Sequence, residues 1–163
     1  MSKLSYPEVF TLNDFIRESN KIEGIFRDPT DAEQAEAMRF LLLHDVEIED
    51  LERFVSIYQP GARLRDKVGM NVEIRAGARV VHRPPAGAPK IRRLLQGILD
   101  DIGLYDPFDL HQRYENLHPF TDGNGRSGRM FWLWCRGGSA PGGFLHAWYY
   151  ESLSKWREGA LKI

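Results

Sequence analysis

The sequence predicts a mainly α-helical fold with one small β-hairpin, in a chain of 163 residues. Two patterns and one set of stop signals predict it. Apolar residues recur at three- and four-residue spacing along most of the chain, the period of an amphipathic helix. Capping residues stand ahead of several of these runs. Two-residue alternation flanks Ala76-Gly77-Ala78, where a tight turn joins two short strands.

Each element follows from its own signals. A first helix is expected over residues 13–22, ending near Gly24. Thr30 and Glu33 have capping-box spacing, and the Ala-rich run to Leu43 follows as a second helix. A third covers residues 45–58 and stops at Pro60-Gly61. Val72-Glu73-Ile74-Arg75 and Arg79-Val80-Val81-His82 form the hairpin, and Pro84-Pro85 ends it. A fourth helix spans residues 89–102, with Ile91, Leu94, Leu95, Ile98 and Leu99 on one face. Asp106-Pro107 reads as the cap and first turn of a fifth helix reaching Leu117. Another starts near Gly125 and runs to Arg136. Gly137 to Gly143 breaks the chain. A last helix is expected over residues 144–158, with aromatics at 144, 148, 149 and 156.

Composition bounds the function. The length fits one domain, residues 1–163, with one core. Hydrophobic residues make up 42%, enough to bury that core. The formal net charge is −1, which gives no broad electrostatic footprint for nucleic acid or an anionic membrane. No apolar stretch approaches the roughly 20 residues that span a bilayer, and the N-terminus has no signal-peptide apolar region. Cys135 is the single cysteine and lies in an apolar helix, so a packed thiol in a reducing, cytoplasmic setting is expected. Trp132, Trp134, Trp148 and Trp156 read as core or interface aromatics rather than a stacking platform for bases.

One run concentrates chemistry: His118-Pro119-Phe120-Thr121-Asp122-Gly123-Asn124-Gly125-Arg126-Ser127-Gly128-Arg129. Successive N–H groups around Gly123, Asn124 and Gly125 would make an anion nest. The helix that follows adds its own free N–H groups and positive dipole end. Arg126 and Arg129 are three apart and share a helix face, where both would point at one anion. Asp122 beside an anion site needs a cation between them, and magnesium suits one carboxylate plus phosphate oxygens. His118 can accept a proton near neutral pH and would activate an attacking hydroxyl. Phe120 can anchor the loop in the core, and Glu115 either orients the loop or faces solvent.

The same run resembles the signature of the Fic domain family, His-x-Phe-x-Asp/Glu-Gly-Asn-Gly-Arg-x-x-Arg, at every fixed position. The resemblance extends over nearly the whole chain and implies a protein adenylyltransferase. Such an enzyme moves AMP from ATP, with Mg²⁺, to a Ser, Thr or Tyr hydroxyl of a target protein, or of itself. It implies His118 as the base, Asp122 as the metal ligand, Gly123, Asn124 and Gly125 around the α-phosphate, and Arg126 and Arg129 on the β- and γ-phosphates. It also makes the hairpin, residues 72–85, a flap that docks the target through Arg79, Val80, Val81 and His82, by strand addition.

Upstream, Ser19-Asn20-Lys21-Ile22-Glu23-Gly24 resembles the family's inhibitory motif, Ser/Thr-x-x-x-Glu-Gly/Asn. In that class the helix over about residues 13–24 places its glutamate, here Glu23, on the second signature arginine, here Arg129. That pairing blocks productive ATP placement.

Other readings stay open at this point. One keeps the fold and changes the chemistry: another nucleotide, a phosphodiester donor, or AMP removal. A non-catalytic interaction module is a second alternative. A metal-dependent hydrolase built on His111, His118 and Asp122 is a third. Doc-type kinases have bulkier residues in the loop, and Gly123 and Gly125 argue against that subclass.

Overall fold

A computed structural model describes residues 11–139. Its elements run α1 (Leu12–Ile22), α2 (Asp31–Leu41), α3 (Ile48–Tyr58), β1 (Ile74–Ala76), β2 (Arg79–His82), α4 (Lys90–Asp100), α5 (Pro107–Leu117) and α6 (Asn124–Cys135). The mainly α-helical fold with a small hairpin is therefore what the chain adopts. The expected helix over residues 144–158, with Trp148 and Trp156, lies outside the described residues.

Helix α6 is the central element and packs on α1, α2, α3 and α5. Met130, Phe131, Trp132 and Leu133 are all buried, so its second half is apolar all round. A helix with that pattern must be enclosed by others. Aromatic contacts fix the packing. Phe108 meets Trp132 edge-on at 5.1 Å, and Phe54 stacks on Tyr58 at 4.1 Å. Each buried side chain of this size contributes about 1.5–3 kcal/mol.

The local signals act where they stand. Thr30 accepts from the Glu33 N–H at 3.1 Å, closing the expected capping box. Helix α1 begins with a second box, between Thr11 and Asp14. The third helix starts at Ile48, later than expected, because the Asp50 carboxylate accepts from the Glu47 N–H at 2.9 Å and sets the first turn there. Helix α2 stops at Leu41 and α4 at Asp100, each shorter than its periodic run. Leu94, expected in the α4 apolar face, is 40% exposed, while Ile91, Leu95, Ile98 and Leu99 are buried. The helix buries a narrower stripe than its sequence offers.

The hairpin pairs Ile74 with His82, Arg75 with Val80 and Ala76 with Arg79, with an irregularity after Ile74. Strand β1 thus sits two residues later than the alternation alone suggested. Among the described residues the sheet has only these two strands, so each keeps an unpaired edge. His82 ties the hairpin to α5 through a 2.8 Å contact between its Nε2 and the Asn116 carbonyl.

Candidate active site

The loop between α5 and α6 is built by two left-handed residues. His118 caps α5 at φ 50°, the one non-glycine residue with positive φ among the described residues. Gly123 precedes α6 at φ 76°. Between them the chain reverses so that the end of α5 and the start of α6 meet. The Asn124 side chain staples this turn: it accepts from the Phe120 N–H and donates to the Phe120 carbonyl, both at 2.8 Å. Asn124 was expected beside the α-phosphate. Its carboxamide is committed to the loop, and the group expected there, its backbone N–H, stands in the first turn of α6. Phe120 is buried, as the loop anchor should be.

A buried arginine outside the signature holds the loop from behind. Arg65 is 0% exposed. It donates to the carbonyls of His118 at 2.6 Å, Leu117 at 2.8 Å, Pro85 at 2.8 Å and Met70 at 3.1 Å. No carboxylate balances it in these bonds. The carbonyl end of α5 does, because the dipole there is negative. Burial pulls the guanidinium below its ordinary pKa, as expected for a cation taken from water. Backbone pairing adds to the grip, with Arg65 N–H on the Pro119 carbonyl and Thr121 N–H on the Arg63 carbonyl, both 2.8 Å. Nothing local in the sequence marks Arg65. Its role comes from segments 20 and more than 50 residues away.

His118 itself sits half-buried, with Nδ1 3.1 Å from the Glu115 carbonyl. A carbonyl only accepts, so Nδ1 bears the proton and Nε2 is the basic nitrogen. Glu115 is buried rather than solvent-facing, and its backbone oxygen orients the base. His111 is different. It is 0% exposed, with Nδ1 2.8 Å from the Gly128 carbonyl and its ring stacked on Trp132 at 5.3 Å. That places it in the core, and no group of three or more metal-ligating side chains exists among the described residues. A hydrolase built on His111, His118 and Asp122 has no support there.

The anion end of the site lies on the first turn of α6. The first helical bond runs from Ser127 N–H to the Gly123 carbonyl, so the N–H groups ahead of it point out of the helix end. Asp122 is exposed, and one of its oxygens accepts from the Gly123 N–H at 2.7 Å. The other oxygen has no protein partner among the described residues. An exposed carboxylate with one such oxygen, beside the free N–H groups of a helix start, is a donor set that would fit magnesium, which prefers a single carboxylate plus phosphate oxygens and water.

Arg126 and Arg129 are both buried. Arg126 donates to Gln59 Oε1 at 2.5 Å, and its guanidinium lies 5.9 Å from the Tyr58 ring centroid. Burial pulls its pKa down, and the nearby Glu23 and Glu33 carboxylates oppose that. Arg129 reaches across to α1. Its Nε donates to Ser19 Oγ at 2.8 Å, and its Nη2 donates to the Ser19 carbonyl at 3.1 Å and to Glu23 Oε1 at 2.7 Å. The motif around Ser19 and Glu23 and the second signature arginine are thus one cluster, although 106 residues separate Glu23 from Arg129. Gly24 follows at φ 76° and turns the chain away.

The loop glycines are packed against these groups. A Cβ at Gly125 would collide with Glu23 Oε1 and lie 2.9 Å from Arg129 Nη1. A bulkier loop residue there would force the ends of the Glu23 and Arg129 side chains to shift. A Cβ at Gly128 would run into the Glu115 carboxylate.

A family model for the Fic/DOC family matches residues 4–135, a span that contains the six helices and the hairpin of the described residues. The chain belongs to the Fic/DOC family. No solved structure matches it. The Fic hairpin places Arg79 on the surface and leaves Val80, Val81 and His82 half-buried. The His82 ring is already used in the tether to α5. Cys135 packs against the core, and burial pushes its thiol up to about 12, far from a reactive thiolate. Among the described residues no helix is long and apolar enough to cross a membrane.

Proposed function

We propose that this Fic-family chain is a protein adenylyltransferase held back by its own α1. The observation that carries the reading is the position of Glu23 on Arg129 at the mouth of an anion site that begins with His118. A carboxylate parked on a phosphate-binding arginine is an inhibitor of phosphate binding. It has a purpose only if the site otherwise takes a nucleotide.

The reaction is in-line attack of a Ser, Thr or Tyr hydroxyl oxygen on the α-phosphorus of ATP. The new O–P bond forms as the bond to the bridging oxygen breaks, and pyrophosphate leaves with the electron pair. Nε2 of His118 takes the hydroxyl proton. The N–H groups of Asn124 and Gly125 hold the oxygen on which charge develops. Arg126 and Arg129 grip the β- and γ-phosphates. Asp122 would hold Mg²⁺, which when bound neutralises charge shared between the phosphates. The unpaired edge of the hairpin would align the target segment by main-chain bonds.

Labelled ATP tests the reading. Glu23→Gly protein in a lysate should place α-label on a protein hydroxyl, on itself or on a target, and excess EDTA should abolish it. Label from the γ position means kinase chemistry. Free phosphate without labelled protein means hydrolysis. Loss of AMP from a previously modified protein means removal. Any of these last three outcomes refutes the proposal.

A further inference from the structure

The first signature arginine is aimed by a residue that the signature does not contain. Gln59 closes α3, directly after Tyr58. Its Oε1 accepts from Arg126 Nη2 at 2.5 Å. The same side chain walls the anion turn, because a Cβ at Gly123 would lie 3.1 Å from Gln59 Cβ. Tyr58 completes the seat. Its ring faces the Arg126 guanidinium, its hydroxyl donates to the Glu33 carbonyl at 2.8 Å, and it stacks on Phe54. Arg126 is 4% exposed, and its Nε is buried with no partner among the described residues. The guanidinium is therefore gripped at one nitrogen and one face only.

We infer that Gln59 is a positioning residue for the polyphosphate, fixing Arg126 through a neutral amide so that the contact that aims the guanidinium cancels none of its charge. The chemistry lies in what the amide lacks. A carboxylate of the same length would accept the same hydrogen bond and also cancel the charge. It would do to Arg126 what Glu23 does to Arg129. The inference rests on Arg126 as a β-phosphate ligand, and it makes a side chain 67 residues upstream part of the cradle.

Full-length Glu23→Gly protein is the background for the test, with ADP and AMP as probes by calorimetry in the presence of Mg²⁺. AMP has no β-phosphate. Gln59→Glu is expected to weaken ADP binding by about tenfold or more, the scale of one charge-assisted contact, and to leave AMP binding within about twofold. The KM for ATP should rise accordingly, with kcat changed far less. Combining Gln59→Glu with Arg126→Ala should remove the penalty, since no charge is left to cancel. Equal weakening of ADP and AMP overturns the inference, as does a penalty that persists without Arg126. If Gln59→Glu fails to melt cooperatively, Gln59→Ala decides. Selective weakening of ADP supports the role, and unchanged ADP binding overturns it. Missing AMP transfer with the ADP–AMP contrast intact counts against the adenylyltransferase reading and not against Gln59.

Discussion

Removing the Glu23 carboxylate should raise AMP transfer. The magnitude follows from the contact it breaks. Glu23 Oε1 accepts from Arg129 Nη2 at 2.7 Å, with the Glu23 side chain 38% exposed and the Arg129 side chain 3%. A hydrogen bond between charged groups is worth about 1.5–3 kcal/mol, and partial exposure of the carboxylate argues for the lower end. At about 1.4 kcal/mol per factor of ten, Glu23→Gly should increase productive ATP occupancy by roughly tenfold. A larger gain is not expected, because Ser19 still accepts from Arg129 through its hydroxyl and its carbonyl. Ser19→Ala added to Glu23→Gly should therefore raise the rate further. Arg129→Ala added to Glu23→Gly should forfeit the gain, since the freed arginine is its source. Initial rates of α-label transfer, read as self-modification and as target modification, measure all four proteins. An unchanged or reduced rate in Glu23→Gly refutes the inhibitory role. A gain that survives Arg129→Ala refutes the mechanism.

Three further outcomes follow from the same geometry. His118→Ala should lose about 10²–10⁴-fold in transfer while ADP binding, measured by calorimetry, stays close to wild type, and wild-type rates would sink the assignment of the base. Arg65→Met leaves four carbonyls, that of Leu117 buried, without their Arg65 donor and should lower stability in urea by roughly 3 kcal/mol, and a midpoint within error of wild type would show that the loop holds itself. Burial alone would push the Glu33 carboxyl up, but hydrogen bonds from Asn20, Arg27 and Thr30 outweigh it and hold it below its ordinary 4.5. The unfolded chain then takes up the proton first on acidification, so this stability is present above pH 4.5 and lost as pH falls through the depressed value. Urea midpoints between pH 6 and pH 3 should fall less steeply in Glu33→Gln than in wild type, and equal slopes would refute the assignment.

Much of the fold was legible because its signals are local. The Thr30–Glu33 box and the Asp106-Pro107 start each act within four residues and stand where they were read, and the glycine-centred hairpin forms with β1 starting two residues later. The departures come from competition that sequence periodicity does not contain. Asp50 sets the start of α3 by capping Glu47, although apolar spacing begins earlier. Leu94 has the right spacing for the core, yet α4 turns only part of its apolar face to α5. At the site the same division holds. The order of His118, Asp122, Gly123, Gly125, Arg126 and Arg129 is visible in one run of twelve residues. The use of the Asn124 side chain is not, because a staple and a phosphate ligand need the same residue type.

By itself the sequence determined which chemical groups the site would contain, the helices that present them and the family to which the pattern belongs. Those properties depend on neighbours a few residues apart, where backbone geometry dictates spacing. Tertiary structure alone decided what holds those groups. Arg65 binds the loop from more than 50 residues away and Gln59 aims Arg126, while the pairing of Glu23 with Arg129, which the motif resemblance implied, is joined by Ser19 on the same guanidinium. Arg65 and Gln59 carry long polar side chains of a kind that ordinarily stays in water. Their partners lie on segments that only the packing of α3, α5 and α6 brings together, and a buried cation such as Arg65 is costly unless its donors are paired.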